Sequence, residues 1–428
     1  MMDNIYSNLR MFIALGGLLF LPIALQAQME APPEEDHSYK PLTLRLDESG
    51  KKYIRFIMWH QLWITTNNLD ADGAKFQLTP SIRRSRFLAY SQVSSKFLIL
   101  THFGLNSLNP NNLSALGNDS NTPQFFLHGA WGELKISDGL YIGSGLHYWK
   151  GLTRLANAST LNFMTLDQSR PFAQWHSLGI SDQFARHLGI YAKGQIEKFD
   201  YRIAFNAPGR SPLGTGRDFG TNNSPLTYTG VSTPDSDGDP VGNYIAEGYF
   251  RYNLWDTEST KLPYQVGSYL GKKKILGIGA GFFLHPNGMF NNATGEHENV
   301  SHFAVDVFFE YPNPQGNAIH AYASFISFDY GENYVSRWGG TGTNLYGQLA
   351  YFIKSAKIMP YIAFQNGDYD GFADPVQALD IGANYYVNGH HCKLTLEYHR
   401  IAGDVREGAI ATQDDALSQL RFQLHIFL

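Results

Sequence analysis

Apolar and polar residues alternate with a period of two along most of this chain, in segments of about ten residues. In the closing stretch LRFQLHIFL, Leu420, Phe422, Leu424, Ile426 and Leu428 share one face, and Arg421, Gln423, His425 and Phe427 share the other. This is a strand with one oily face. Its ladder groups need a partner, most simply the first strand of the same chain, so closure into a barrel is the leading expectation. Other rows repeat the design. Phe303, Val305, Val307, Phe309 and Tyr311 oppose His302, Asp306 and Glu310, while Leu379, Ile381, Ala383, Tyr385 and Val387 oppose Asp380, Asn384 and Tyr386. A polar inner row implies a wet or polar lumen.

The alternation predicts strands over 53–64, 81–91, 96–106, 125–136, 139–149, 187–196, 198–206 and 243–254. It continues over 273–285, 300–311, 317–329, 343–354, 357–367, 376–388, 391–401 and 417–428, about sixteen in all. Short turns such as Ser137-Asp138-Gly139 and Asn388-Gly389-His390 fall at one end. Long loops fall at the other, at 65–80, 107–124, 150–186, 207–242, 286–299, 330–342, 368–375 and 402–416. The expected fold is therefore all-β, a transmembrane antiparallel barrel with short periplasmic turns, long external loops and the third loop folded into the lumen. Residues 255–272 break the rule, being too long for a tight turn; they fold inward or mark a misplaced strand. KFLILTHFGL, from Lys96 to Leu105, is apolar on both faces, which suits another subunit outside and an inserted loop inside, or a buried strand of a soluble protein.

The start of the chain agrees with this destination. Arg10 precedes the apolar run MFIALGGLLFLPIAL, and Ala27 supplies a small residue before a cut at Gln28. The run is shorter than the roughly 20 residues a spanning helix needs and contains Pro22. We expect a signal peptide over 1–27, a short periplasmic segment over 28–51 and the barrel over 52–428, in the outer membrane of a Gram-negative bacterium. No other long apolar run occurs, which excludes a helical membrane protein. The slightly negative mean hydropathy is compatible with a barrel, because only alternate residues face lipid. The 29 Phe, 25 Tyr and 7 Trp suit interfacial girdles. A net charge of -5 gives no reason to invoke nucleic acid, and the lone Cys392 excludes a disulfide framework.

Three stretches carry a resemblance. SIRRSRFLAYSQVSSKFLIL resembles the RRAR strand and following hairpin of the phosphate-selective porin family, porins O and P. HGAWGELKISDGLYIGSGLHYWKGL resembles the next hairpin of that family, leading to the pore loop, and SYLGKKKILGIGAGF is similar to a segment of its Bacteroidetes-type members. The resemblance implies a sixteen-stranded homotrimer whose third loop narrows the pore. It also implies an arginine ladder and a lysine cluster that guide anions such as phosphate, partly matched here by Arg83, Arg84 and Arg86. Barrel-assembly machinery is an implied partner; its terminal signal usually ends in an aromatic residue, whereas here Phe427 precedes Leu428.

Parity assigns inward charges. Arg55, Arg84, Arg86, Lys135, Lys193, Arg202, Arg251 and Arg421 lie on the early strands and the closing one, and Asp306, Glu310, Asp380 and Glu397 on later strands. Because the last strand pairs with the first, a basic wall faces an acidic wall, a field that orients polar solutes. Glu133, Asp200, Glu247 and Lys393 blur the split. The competing reading is of ordinary lumen charges paired across strands. In the third loop Lys150, Arg154, Arg170, His176 and Arg186 outnumber Asp167 and Asp182. Inserted, such a loop favours anions; outside, its charges are merely solvated.

Asp235, Asp237 and Asp239 in PDSDGDP space carboxylates as calcium loops do, but no bidentate acid follows at the right distance, so a flexible acidic loop competes with a metal site. No cofactor is implied. GIGAG at 277–281 lacks nucleotide-loop spacing and sits in a strand, where small residues admit a bulge or close packing. No G-x-S-x-G, H-E-x-x-H or phosphate-loop motif occurs, so the chain is expected to be no enzyme. The reading is a porin for passive diffusion of small hydrophilic solutes, with anion or phosphate preference. A barrel enzyme or ligand-binding protein acting through its external loops is the alternative.

Overall fold

The computed structural model describes residues 40–71, 73, 75–113, 125–148, 150–167, 186–209, 214–215, 224–228, 230, 233–234, 240–241, 244–260, 264–335, 340–372, 374–403 and 416–428. Sixteen antiparallel strands form one closed barrel. They are β1 (Tyr53–Thr66), β2 (Leu78–Gln92), β3 (Phe97–Leu108), β4 (Phe126–Ser137), β5 (Leu140–Tyr148), β6 (Arg186–Ile196), β7 (Phe199–Ala207) and β8 (Ile245–Asn253). There follow β9 (Ile275–Asn291), β10 (His297–Pro312), β11 (Ala318–Asp329), β12 (Gly342–Phe352), β13 (Ile358–Tyr369), β14 (Val376–His390), β15 (Cys392–Ala402) and β16 (Leu417–Phe427). Each strand pairs with the next, and the seam closes β16 on β1 from Trp59↔Phe427 to Thr65↔Arg421. Below the seam the edge of β1 is covered by the short strand Leu42–Arg45, with Leu42 opposite Phe56. No helix among the described residues is long and apolar enough to cross a membrane.

The period-two pattern becomes two surfaces. Phe303 and Val305 stand 55% exposed on the outside of β10, while Asp306 and Glu310 of the same strand are buried within. An exposed belt of large apolar side chains is tolerated only against lipid or another apolar surface. Strict alternation fails at β-bulges, where an extra residue shifts parity. Gln61 pairs with Arg84 and Leu62 with Ile82, so Arg83 is the extra residue of β2 and turns inward beside Arg84. β9 and β10 are longer than expected. Much of the predicted 286–299 loop continues their hairpin past a register shift between His285 and Met289. The shift spans Pro286 and Asn287, the latter at φ 54°, which reads locally as loop. Arg186 likewise belongs to β6 and not to the loop before it.

Most connections at one end are short, such as 93–96 and 353–357. The connection between β8 and β9 leaves from that same end, and its described parts, 254–260 and 264–274, run into the lumen. Of the two expectations for it, inward folding is what the structure shows.

Candidate functional site, the filled lumen

The third long loop enters the barrel. Almost all of its described part, 150–167, is buried, with only two short 3-10 turns, Leu155–Asn157 and Thr160–Asn162, as regular structure. Backbone in a water-poor interior needs partners for its polar groups, and the inner row of the wall supplies them. The Lys150 N–H donates to Glu247 at 3.0 Å, Arg154 N–H to Asp306 at 2.5 Å and Leu166 N–H to Glu397 at 3.0 Å. Carbonyls are met in turn. Gln61 donates to Thr160 O at 3.1 Å, Lys393 to Phe163 O at 2.6 Å and Asn384 to Met164 O at 2.8 Å. Between Lys150 and Asp167 the loop thus passes from β8–β10 to β14, β15, β1 and β2. The small residues of GIGAG give it room: Gly277, Gly279 and Gly281 are the inward row of β9, and a Cβ on Gly281 would overlap the Leu152 carbonyl.

Asp167 is the last described residue of the crossing. Its Oδ2 accepts from Arg83 Nε at 2.8 Å and its Oδ1 from Arg84 Nη2 at 2.8 Å, with all three side chains nearly buried. The bulge is what aims two consecutive arginines at one carboxylate. Arg83 was not in the parity set for that reason.

The 254–274 connection meets the loop from the other mouth. Gln265 N–H donates to Asn157 O at 2.7 Å, and Ser159 N–H to Gln265 O at 3.1 Å. Glu258 forks two guanidiniums, at 2.6 Å from Arg154 Nη2 and 2.6 Å from Arg251 Nη1. Burial alone would raise its pKa, but those two cations hold the carboxyl down at about 2. No local pattern marks Glu258 in the sequence.

The remaining predicted charges fall as follows. Lys193 pairs with Glu133 at 2.9 Å, Arg202 with Asp200 at 3.5 Å and Arg251 with Asp200 at 3.3 Å. Arg86 is fully buried and donates to the Leu105 carbonyl and the Asn106 side chain, lying along the wall. Arg186 lies over the Tyr148 ring at 3.8 Å, and Arg421 over Trp63 at 5.7 Å. Arg55 and Lys135 are partly exposed near the short-turn end, Lys135 pairing with Asp138. The acidic residues serve largely as acceptors. Asp306 takes Tyr249 and Tyr322 hydroxyls at 2.9 Å each, Glu310 takes the N–H groups of Tyr269 and Gly271 at 2.8 and 2.7 Å, and Glu397 takes Tyr361 at 2.8 Å. Asp380 bonds the His399 ring at 2.6 Å. Asp380, Glu397 and His399 bring possible cation ligands within 4.8 Å of one another, though each makes a protein hydrogen bond. Arg170, His176 and the Asp235, Asp237, Asp239 set lie outside the described residues.

Apolar contacts fill much of the remainder. Leu226, Tyr228, Tyr330, Tyr334 and Phe372, from long connections, join Phe283, Phe328 and Leu152 in one buried cluster against β8–β16. Across the lumen, Trp59, Leu88, Leu100 and Trp131 pack with Leu161 of the inserted loop and Tyr264. The inner side of KFLILTHFGL therefore faces inserted chain. Inward side chains that keep partial exposure include Arg55, Tyr90, Lys135 and Tyr141 toward the turn end and Thr65, Gln419 and Arg421 toward the loop end. Between these groups Gln61, Arg84 and Gln423 are buried.

No protein-family model matches the sequence, and no curated protein matches it. Solved structures do match in fold. OmpF of Salmonella typhi, in complex with daunomycin, aligns with a TM-score of 0.53 at 10% identity, covering 89% of this chain and 99% of that one. The outer membrane channel DcaP of Acinetobacter baumannii gives 0.53 at 10% identity, covering 89% and 99%. The anion-selective porin from Comamonas acidovorans gives 0.51 at 9% identity, covering 88% and 100%. The shared feature is the porin barrel architecture.

Proposed function

We propose that the chain is an outer-membrane porin for passive diffusion of small hydrophilic solutes, with a preference for anions. The observation that carries this is a closed barrel, apolar outside, whose lumen is crossed by a loop tied to both walls. A solute path fits best along β1–β6 and β16, where the partly exposed inward residues lie toward both mouths. Its neck is Gln61, Arg84, Thr160 and Asp167. Arg55 and Lys135 toward one mouth, with Arg421 and Arg83 toward the other, supply cations along that path, as selective pores do with charged rings. Guanidinium pairs suit phosphate and carboxylate oxygens, which supports phosphate among the candidate solutes and the porin O and P resemblance. Among the described cations predicted for the third loop, Arg154 is taken up by Glu258 and Lys150 is buried on the Tyr148 carbonyl, which leaves Arg186 on the β1–β6 side, while the acidic wall chiefly holds inserted chain.

A homotrimer is the assembly we propose. Among the exposed apolar residues on the outside of β1–β4, such as Phe56, Leu62, Phe87 and Ile99, stands His60, whose ring packs edge-on against Phe87. A titratable ring on the outer surface suits a protein neighbour better than lipid. The leading stretch, read as a signal peptide, and an oily last strand suit export to the barrel-assembly machinery.

Planar-bilayer recording across a potassium chloride gradient tests the reading. Discrete steps with an anion-favouring reversal potential are expected, reduced by added phosphate. Cation-favouring reversal removes the anion preference; folded protein without steps removes the channel.

A further inference from the structure

We infer that the 254–274 connection is a strap that sets the position of the crossing loop from the opposite mouth, with Glu258 as its positioning residue. The effect on permeation rests on the porin reading; the strap itself does not. In the middle of the crossing loop the backbone is met from one side by Tyr148 of β5, whose hydroxyl donates to Ala158 O at 2.7 Å, and from the other by the strap. Ala158 forms a parallel bridge with Gln265, and Gly267 N–H donates to Asn162 Oδ1 at 2.8 Å. A side chain on Gly267 would strike the Asn162 carbonyl, so the approach is as close as backbone permits.

Glu258 fastens this contact to the wall. Its two oxygens meet Arg154, whose own N–H is on Asp306 of β10, and Arg251 of β8. One carboxylate therefore joins loop, strap and barrel. The strap is anchored a second time, where Glu310 accepts two of its N–H groups and the His390 ring contacts Ser268 O at 2.9 Å. Short turns such as 93–96, 313–317 and 353–357 could not reach mid-lumen. The bore would then be set by two segments entering from opposite ends, with the ion triad as the joint between them.

Two experiments test this. In a Cys392→Ser background, Ala158→Cys with Gln265→Cys is oxidised in the assembled protein, and peptide mass spectrometry reads the cross-link. A cross-link in heat-modifiable barrel is expected; its absence in such barrel overturns the strap, whether or not the protein conducts. Glu258→Gln and Glu258→Asp are then compared in bilayers. We expect Gln to give scattered steps roughly twofold or more larger than wild type, as a widened neck allows, and Asp to keep a single step size. Gln indistinguishable from wild type overturns the positioning role even if the cross-link forms. Should Gln fail to assemble, Arg251→Gln, which removes one of the two cations on the Glu258 carboxylate, is recorded in its place: scattered, larger steps are expected, and steps indistinguishable from wild type overturn the role. If the double-cysteine barrel cross-links but neither it nor the wild type conducts, the strap stands and the porin reading fails.

Discussion

Arg84 on the wall and Asp167 on the crossing loop meet at 2.8 Å, and a bulge in β2 brings Arg83 to the other oxygen of the same carboxylate. The described part of the loop therefore ends on two guanidiniums rather than one, and the bulge is what supplies the second.

Asp167→Asn should weaken that end of the loop. Removing one partner from a buried ion pair costs about 3 kcal/mol, so the thermal unfolding of the purified barrel should fall in temperature. The lost negative charge at the neck should also move the reversal potential toward anions. An unchanged reversal potential in folded Asn variant would place the solute path elsewhere.

Gly281→Val addresses the opposite end of the crossing. Its side chain needs the place of the Leu152 carbonyl, so the loop must lift from β9 while the wall strand keeps its pairing. Normal heat modifiability with altered step size is the expected pair of results. Unaltered steps would mean that the loop position at Leu152 does not govern conduction.

Leu424 faces outward between Leu62 and Leu394 in the seam strands. Leu424→Asp puts a carboxylate toward lipid at a cost on the order of 2 kcal/mol and should reduce membrane-assembled protein. Gln423→Asp, inward on the same strand, should be tolerated better. Equal yields of the two would contradict the facing assigned to β16.

Acid should loosen the strap before it opens the barrel. The Glu258 carboxyl is held below its ordinary value of 4.5, at about 2, so its contribution is fully present above 4.5 and is lost as pH falls toward 2. Step-size noise should rise across that window in wild type and be insensitive to it in Glu258→Gln. Parallel titrations of both proteins would fail to show this difference if the carboxylate were not holding the loop.

The strands were legible because lipid and lumen impose opposite chemistry on neighbouring residues, and Phe303, Val305 and Asp306 show it plainly. The facing of Arg84, Asp306 and Glu397 followed from the same parity. Arg83 did not, since a bulge changes parity without a fixed local signature. The β9–β10 extension was hidden behind Pro286 and Asn287, which imitate a turn. Glu258 could not be found at all from its neighbours: its partner Arg154 is 104 residues away in sequence, and only the closed barrel brings them together. The glycines of β9 were readable as a place of close approach, though what approaches was not.

The seam between β1 and β16 has a bearing on assembly. Gln61 on one side of it already holds Thr160, and Glu397 and Lys393 beside the other side hold Leu166 and Phe163. The sheet consequently wraps around its own contents, and the strands that close the barrel are the same ones that hold the interior chain. Contacts so distant in sequence make for slow maturation, so the appearance of heat-resistant barrel should lag behind the gain of β-structure.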